Sequence, residues 1–126
     1  MNPPSTEGPM RAARLFGALG ALFCAIAVAL GAYAAHSADA GSGARLQTAS
    51  LYLFLHGVAL LALQPRLRSR ARLFVAGMLV LGVLLFAGSL VGAALFGWPT
   101  RLAPAGGMLM IGGWVGWALL QFSRER

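Results

Sequence analysis

Three polar side chains with the spacing of a helix face carry most of the chemistry that this sequence could perform. Thr48, Tyr52 and His56 recur at every fourth position, so a helix would stack them along one side. Their segment is apolar, and a rise of about 1.5 Å per residue would place His56 near the middle of a bilayer. An ionisable side chain at that depth indicates a functional site, because its charged form is costly in hydrocarbon. The alternative is a neutral His56 that hydrogen-bonds Tyr52, Ser89 or a backbone carbonyl and only stabilises the helices.

The remaining polar residues favour neither an enzyme nor a bound cofactor. His36 and Asp39 share a short polar link, which predicts a water-exposed periplasmic mouth. His36 and His56 would lie at different depths, which disfavours a haem between them, and two histidines are too few for zinc. Ser89 lacks the strand-turn-helix context of a catalytic serine. The single Cys24 excludes an internal disulfide, so we predict no catalytic residue, no cofactor and no metal site.

Long apolar segments must position these residues. Hydrophobic residues make up 59% of the 126-residue chain and the mean hydropathy is +0.76, whereas soluble domains are about 45–50% apolar. The pattern predicts an all-α membrane protein with four transmembrane helices in an up-down bundle. The predicted spans are 15–35, 46–63, 73–96 and 102–122, which form a single domain over 15–122. A flexible basic tail at 1–14 and a C-terminal tail at 123–126 flank that domain.

The first span also resembles a signal peptide, since two arginines precede it and a small-x-small pattern ends it. Signal h-regions contain about 7–15 residues, and this apolar run is longer. We therefore expect an uncleaved first helix.

The positions of the arginines predict the orientation of the chain. Eight of the ten lie beside the predicted N-terminus, the second link and the C-terminus, and two lie beside the other links. The positive-inside rule then makes both termini cytoplasmic. Four arginines of the second link should meet anionic lipid headgroups: Arg66, Arg68, Arg70 and Arg72. The net charge of +7 does not indicate nucleic-acid binding, because no polar domain could carry it.

Small residues at every fourth position predict close packing of helices in lipid. These rows are Ala13, Gly17, Ala21, Ala25 and Ala29, then Gly88 and Gly92, then Gly112 and Gly116. The pattern favours packing within one bundle, and the alternative is a surface for a second copy.

Four segments, taken in order and with their spacing, resemble the small inner-membrane proteins of the YgdD type. That family is related to eukaryotic transmembrane protein 256 and is catalogued as domain of unknown function 423. The segments are 31–36 (GAYAAH), 48–52 (TASLY) with His56, 85–90 (LFAGSL), and 104–107 (PAGG) with Gly113 and Trp114. The resemblance implies a four-helix membrane fold without a settled activity, and its motif residues fall on His36, Tyr52 and His56.

We therefore predict a non-enzymatic protein of a bacterial inner membrane, multi-pass, which serves as an accessory or assembly partner of a larger membrane complex. The absence of lysine beside many arginines is typical of a GC-rich bacterial genome. The partner would be another membrane protein or a second copy. The alternative is a small transporter or a lipid- or quinone-binding protein that uses Thr48, Tyr52 and His56. A water-filled cavity that reaches His56 would favour this alternative, and a dry bundle would favour the first hypothesis.

Overall fold

The computed structural model describes residues 7–36 and 39–123, and these form four long helices without a strand. The helices are α1 (Glu7–Ala35), α2 (Ala40–Leu63), α3 (Arg70–Phe96) and α4 (Leu102–Leu120). A short 3-10 turn, Gln64–Arg66, follows α2 directly. All four helices are long and apolar enough to cross a membrane, as the sequence predicts.

Three helices begin earlier than the predicted spans, α3 by three residues and α1 and α2 by more. α1 begins at Glu7, within the segment 1–14 that the sequence assigns to a tail, and Glu7 lies 3.7 Å from Arg11 one turn later. Pro9 is tolerated there because the first turn has no intrahelical acceptor for an N–H group. α2 begins at Ala40 rather than at 46, because Asp39 caps it. The remaining parts of the predicted tails, 1–6 and 124–126, lie outside the described residues.

Local sequence determines where α3 begins and ends. Ser69 is its N-cap, and the hydroxyl accepts a hydrogen bond from the backbone N–H of Arg72 at 3.2 Å. At the other end Gly97 adopts a left-handed conformation with φ of 69°, which a side chain would disfavour. Trp98 then donates its backbone N–H to Gly92 O, and its indole folds back onto Gly92.

α1 and α2 approach closely at two glycines, whose lack of a side chain allows backbone to contact backbone. A Cβ added to Gly20 would lie 2.6 Å from Gly57 O, and one added to Gly57 would lie 2.6 Å from Gly20 O. Ser50 strengthens this pair because its hydroxyl donates to Ala27 O at 2.6 Å. Cys24 lies against Gly57, so it acts as a small packing residue.

The predicted row of small residues in α1 does not form this interface. Gly17 is buried, but Ala21, Ala25 and Ala29 are exposed. Packing of this row within the bundle is wrong for the three alanines, because Gly20, Cys24 and Ala27 contact α2 instead. The buried residues of α1 are Gly17, Gly20, Phe23, Ala27 and Ala34.

α3 and α4 approach through a second pair of glycines. A Cβ on Gly106 would lie 2.5 Å from the backbone nitrogen of Phe86 and 2.6 Å from Gly82 O. The predicted Gly112 and Gly116 also face α3, but they meet side chains, Met78 and Val75 respectively. A Cβ added to Gly88 would meet no atom within 4 Å, so no helix packs closely against this glycine.

Helices that are neighbours in sequence pack antiparallel, and the bundle is open. Phe86 and Gly88 of α3 are separated by about 200° of rotation at 3.6 residues per turn. The backbone of Phe86 lies against Gly106 of α4, whereas Gly88 lines a groove together with Phe23 of α1. α1 and α4 therefore lie on opposite sides of α3, and among the described residues they share no extensive contact.

Candidate functional site

The centre of the candidate site is the imidazole of His56, which is only 7% exposed. Its Nδ1 lies 2.9 Å from the backbone oxygen of Tyr52, and its Nε2 lies 3.2 Å from the indole nitrogen of Trp114. The indole N–H can only donate, so Nε2 must accept and Nδ1 must carry the proton. Both ring nitrogens of a neutral His56 are thereby occupied.

Aromatic rings surround the imidazole. The Tyr52 and His56 rings are stacked with centroids 6.1 Å apart, and the Trp114 ring lies 5.9 Å away on the other helix. The Phe86 ring of α3 packs on the Tyr52 ring, with their centroids 4.6 Å apart. The site therefore joins α2, α3 and α4 at one level of the bundle.

Two members of the predicted polar cluster do not take part in these hydrogen bonds. Thr48 is exposed, and its hydroxyl donates to Ala44 O of its own helix at 3.1 Å. Ser89 is buried, and its hydroxyl has no hydrogen-bond partner among the described residues. The structure thus brings Tyr52 and His56 together with Trp114. In the sequence Trp114 stands out only as part of a motif, although an indole within an apolar helix requires an acceptor.

The predicted mouth at His36 and Asp39 is a helix boundary. Asp39 accepts hydrogen bonds from Ser42 Oγ at 2.7 Å and from the backbone N–H groups of Ser42 and Gly41. These bonds, that from the Ser42 hydroxyl first, lower the pKa of the Asp39 carboxyl. Ser42 Oγ also lies 3.3 Å from Ala94 O, which links the start of α2 to the end of α3.

His36 directly follows α1, its backbone N–H donates to Tyr33 O, and its side chain is exposed. Within the described parts of the chain, no three His, Cys, Asp or Glu side chains converge on a point where a metal ion could bind.

An apolar groove opens between α1 and α3 near the Trp98 end, with a volume of about 270 Å³. His56 is not part of its lining. The groove is lined mainly by large apolar side chains, among them Phe23, Leu30, Leu53, Leu84, Phe96 and Trp98.

At the opposite end, the connection between α2 and α3 is ordered by side chains. Leu67 is 1% exposed, and the Gln64 side chain lies against Gly17 of α1. The Arg72 guanidinium lies 5.4 Å from the centre of the Trp117 ring of α4 and donates to Arg66 O at 3.3 Å. The four arginines of this connection are evident from the sequence. Its contacts with α1, α3 and α4 are evident only from the structure.

Comparison with known families agrees with the resemblance seen in the sequence. The model of a family described as "Protein of unknown function (DUF423)" matches residues 30–107, which is more than half of the chain. The matched region includes His36, Tyr52, His56 and the Gly82–Gly106 contact. No solved structure matches this chain.

Proposed function

This chain belongs to the DUF423 family of proteins of unknown function, and we propose that it is a non-enzymatic accessory or assembly partner of a larger membrane complex. The complex would lie in the inner membrane of a bacterium, with both termini of this protein in the cytoplasm. The observation that carries the proposal is the occupied state of His56, whose two ring nitrogens both have partners within the protein.

An ionisable side chain within a membrane span would normally mark a path for a proton, an ion or a ligand. A path needs a nitrogen that can exchange its hydrogen bond with water or substrate. His56 is instead buried between Tyr52 and Trp114, and the hydrogen bond that Trp114 donates to Nε2 connects α4 to α2. This geometry supports a structural role, in which the polar group fixes the relative position of two helices.

The apolar groove gives no support to the alternative of a transporter built on the polar stripe. Its lining contains neither Thr48 nor Tyr52 nor His56. Aliphatic and aromatic walls suit hydrocarbon rather than a polar substrate. We therefore propose contact with another membrane protein through helix faces as the activity of these four helices.

Affinity purification in a mild detergent, followed by native mass spectrometry, tests the proposal. We expect a defined membrane protein, or a second copy, to be retained in constant stoichiometry. The matched variants are His56→Ala and Thr48→Ala, which remove a buried and an exposed polar side chain from the same helix. A structural His56 predicts that complex formation falls only in proportion to loss of folded protein. Purification of a strictly monomeric protein without partners, at native expression, would contradict the proposal.

A further inference from the structure

We propose that the basic loop, defined as residues 64–72, binds the headgroup of an anionic phospholipid. This inference does not depend on the accessory role proposed above. It concerns the membrane end at which α1 begins, α2 ends and α3 begins.

The basic loop has a fixed shape. Leu67 is anchored in the core, and the Arg68 Nε donates to Pro65 O at 3.2 Å. Arg72 connects the loop to α4 through Arg66 O and the Trp117 ring. An ordered loop loses little conformational entropy when it binds a ligand, so its affinity for a headgroup is higher than that of a flexible basic segment.

Arg66, Arg68 and Arg70 are exposed on this loop. The planar guanidinium group donates two parallel hydrogen bonds to a phosphate, which matches a phospholipid headgroup at the depth where a span ends. Trp117 lies at the same level, and indole rings favour the interface between headgroups and acyl chains. A lipid bound here would place its phosphate at the arginines and its chains against the helices.

Charge at this end is strongly unbalanced. Among the described residues it carries six arginines and one acid, Glu7, which lies beside Arg11 rather than beside the loop. The opposite end carries Arg45 and Arg101, with Asp39 close to Arg45 in the chain. Each arginine near an anionic surface contributes about 1 kcal/mol, or roughly a factor of five in binding. The basic loop therefore has the charge to select an anionic headgroup.

The test uses the full chain, reconstituted in vesicles that contain equal amounts of phosphatidylglycerol and phosphatidylcholine. After extraction in mild detergent, native mass spectrometry measures the ratio of the two lipids that remain bound. We expect phosphatidylglycerol to be enriched, and the enrichment to fall roughly 25-fold in the Arg66→Gln/Arg70→Gln variant, which loses two arginines.

The matched control is Arg45→Gln/Arg101→Gln, which removes the same charge from the opposite end and should keep the enrichment. Both variants change exposed residues, so their Tm values in detergent should stay close to that of the unchanged protein. Equal loss in both variants, or no enrichment at all, would overturn the proposal. Displacement of phosphatidylglycerol by inorganic phosphate would also overturn it, because the loop would then bind free phosphate rather than a lipid.

Discussion

The hydrogen bond between His56 and Trp114 has chemical consequences at the scale of single residues. If Nε2 were protonated, its N–H would face the indole N–H of Trp114, and because both groups can only donate, the hydrogen bond would be lost. The polar pair therefore holds the helices together only while the imidazole is neutral. Nitrogen-15 NMR of labelled histidine should show the tautomer with its proton on Nδ1. A dominant Nε2–H tautomer would contradict the contact with Trp114.

A double-mutant cycle measures how strongly the two side chains are coupled. His56→Ala and Trp114→Phe should each lower the free energy of unfolding, with a coupling energy of about 0.6–2 kcal/mol, as for other intramembrane hydrogen bonds. Unfolding in mixed detergent reports this energy.

Trp98→Phe is the control for that cycle. Trp98 is 59% exposed and packs on Gly92 and Phe96, away from the imidazole. Its coupling to His56→Ala should be near zero. Equal coupling energies of the two tryptophan variants with His56→Ala would contradict a specific hydrogen bond between His56 and Trp114.

At the scale of helices, two adjacent glycines of α4 provide a matched comparison. Gly106→Ala would push a methyl group to within 2.5 Å of the Phe86 backbone nitrogen, whereas Gly107→Ala would meet nothing within 4 Å. We expect Gly106→Ala to cost about 1–3 kcal/mol through overpacking. Gly107→Ala should be neutral or stabilise by up to about 1 kcal/mol through helix propensity. Thermal unfolding in detergent distinguishes them, and equal Tm values would contradict the close approach of α3 and α4.

The cap of α2 predicts a dependence on acid pH. Because hydrogen bonds lower the pKa of Asp39 below its ordinary value of 3.8, ionised Asp39 stabilises the folded state above that pH. This contribution is lost as the pH falls from 3.8 through the lowered pKa. Asp39→Asn keeps a capping oxygen but cannot ionise. Its Tm should therefore fall less steeply in this window than that of the unchanged protein, and parallel curves would contradict the assignment.

Element types were predictable from the sequence, but the faces that pack were not. Long apolar runs specify four helices because only a helix satisfies its own backbone in lipid. The same apolarity conceals which face is buried, since lipid and core select similar side chains. Seventeen glycines give several possible rows, and only the backbone approach at Gly20 and Gly57 distinguishes the correct one. Likewise, Tyr52 and His56 could be singled out by type and spacing, whereas Trp114 is 58 residues away and required the fold.

At the scale of the whole molecule, the open arrangement leaves α1 and α4 each with one principal neighbour. α1 packs on α2, and α4 packs on α3. Large apolar side chains on both outer helices are exposed, including Val28 of α1 and Ile111 of α4. A lipid bilayer accommodates such surfaces, which water would not. These exposed apolar faces are therefore compatible with helices that span a membrane.

Cysteine labelling tests the orientation of the whole molecule in the membrane. In a Cys24→Ala background, Thr100→Cys lies in the α3–α4 connection and Ser123→Cys follows α4, and both positions are exposed. The eight-to-two distribution of arginines predicts that Thr100 faces away from the cytoplasm and that Ser123 lies within it. A membrane-impermeant maleimide applied to intact cells should label Thr100→Cys alone, and both variants should react after the membrane is permeabilised. Labelling of Ser123→Cys in intact cells would contradict this topology. It would indicate that the C-terminus, and with it the basic loop, lies on the outer surface.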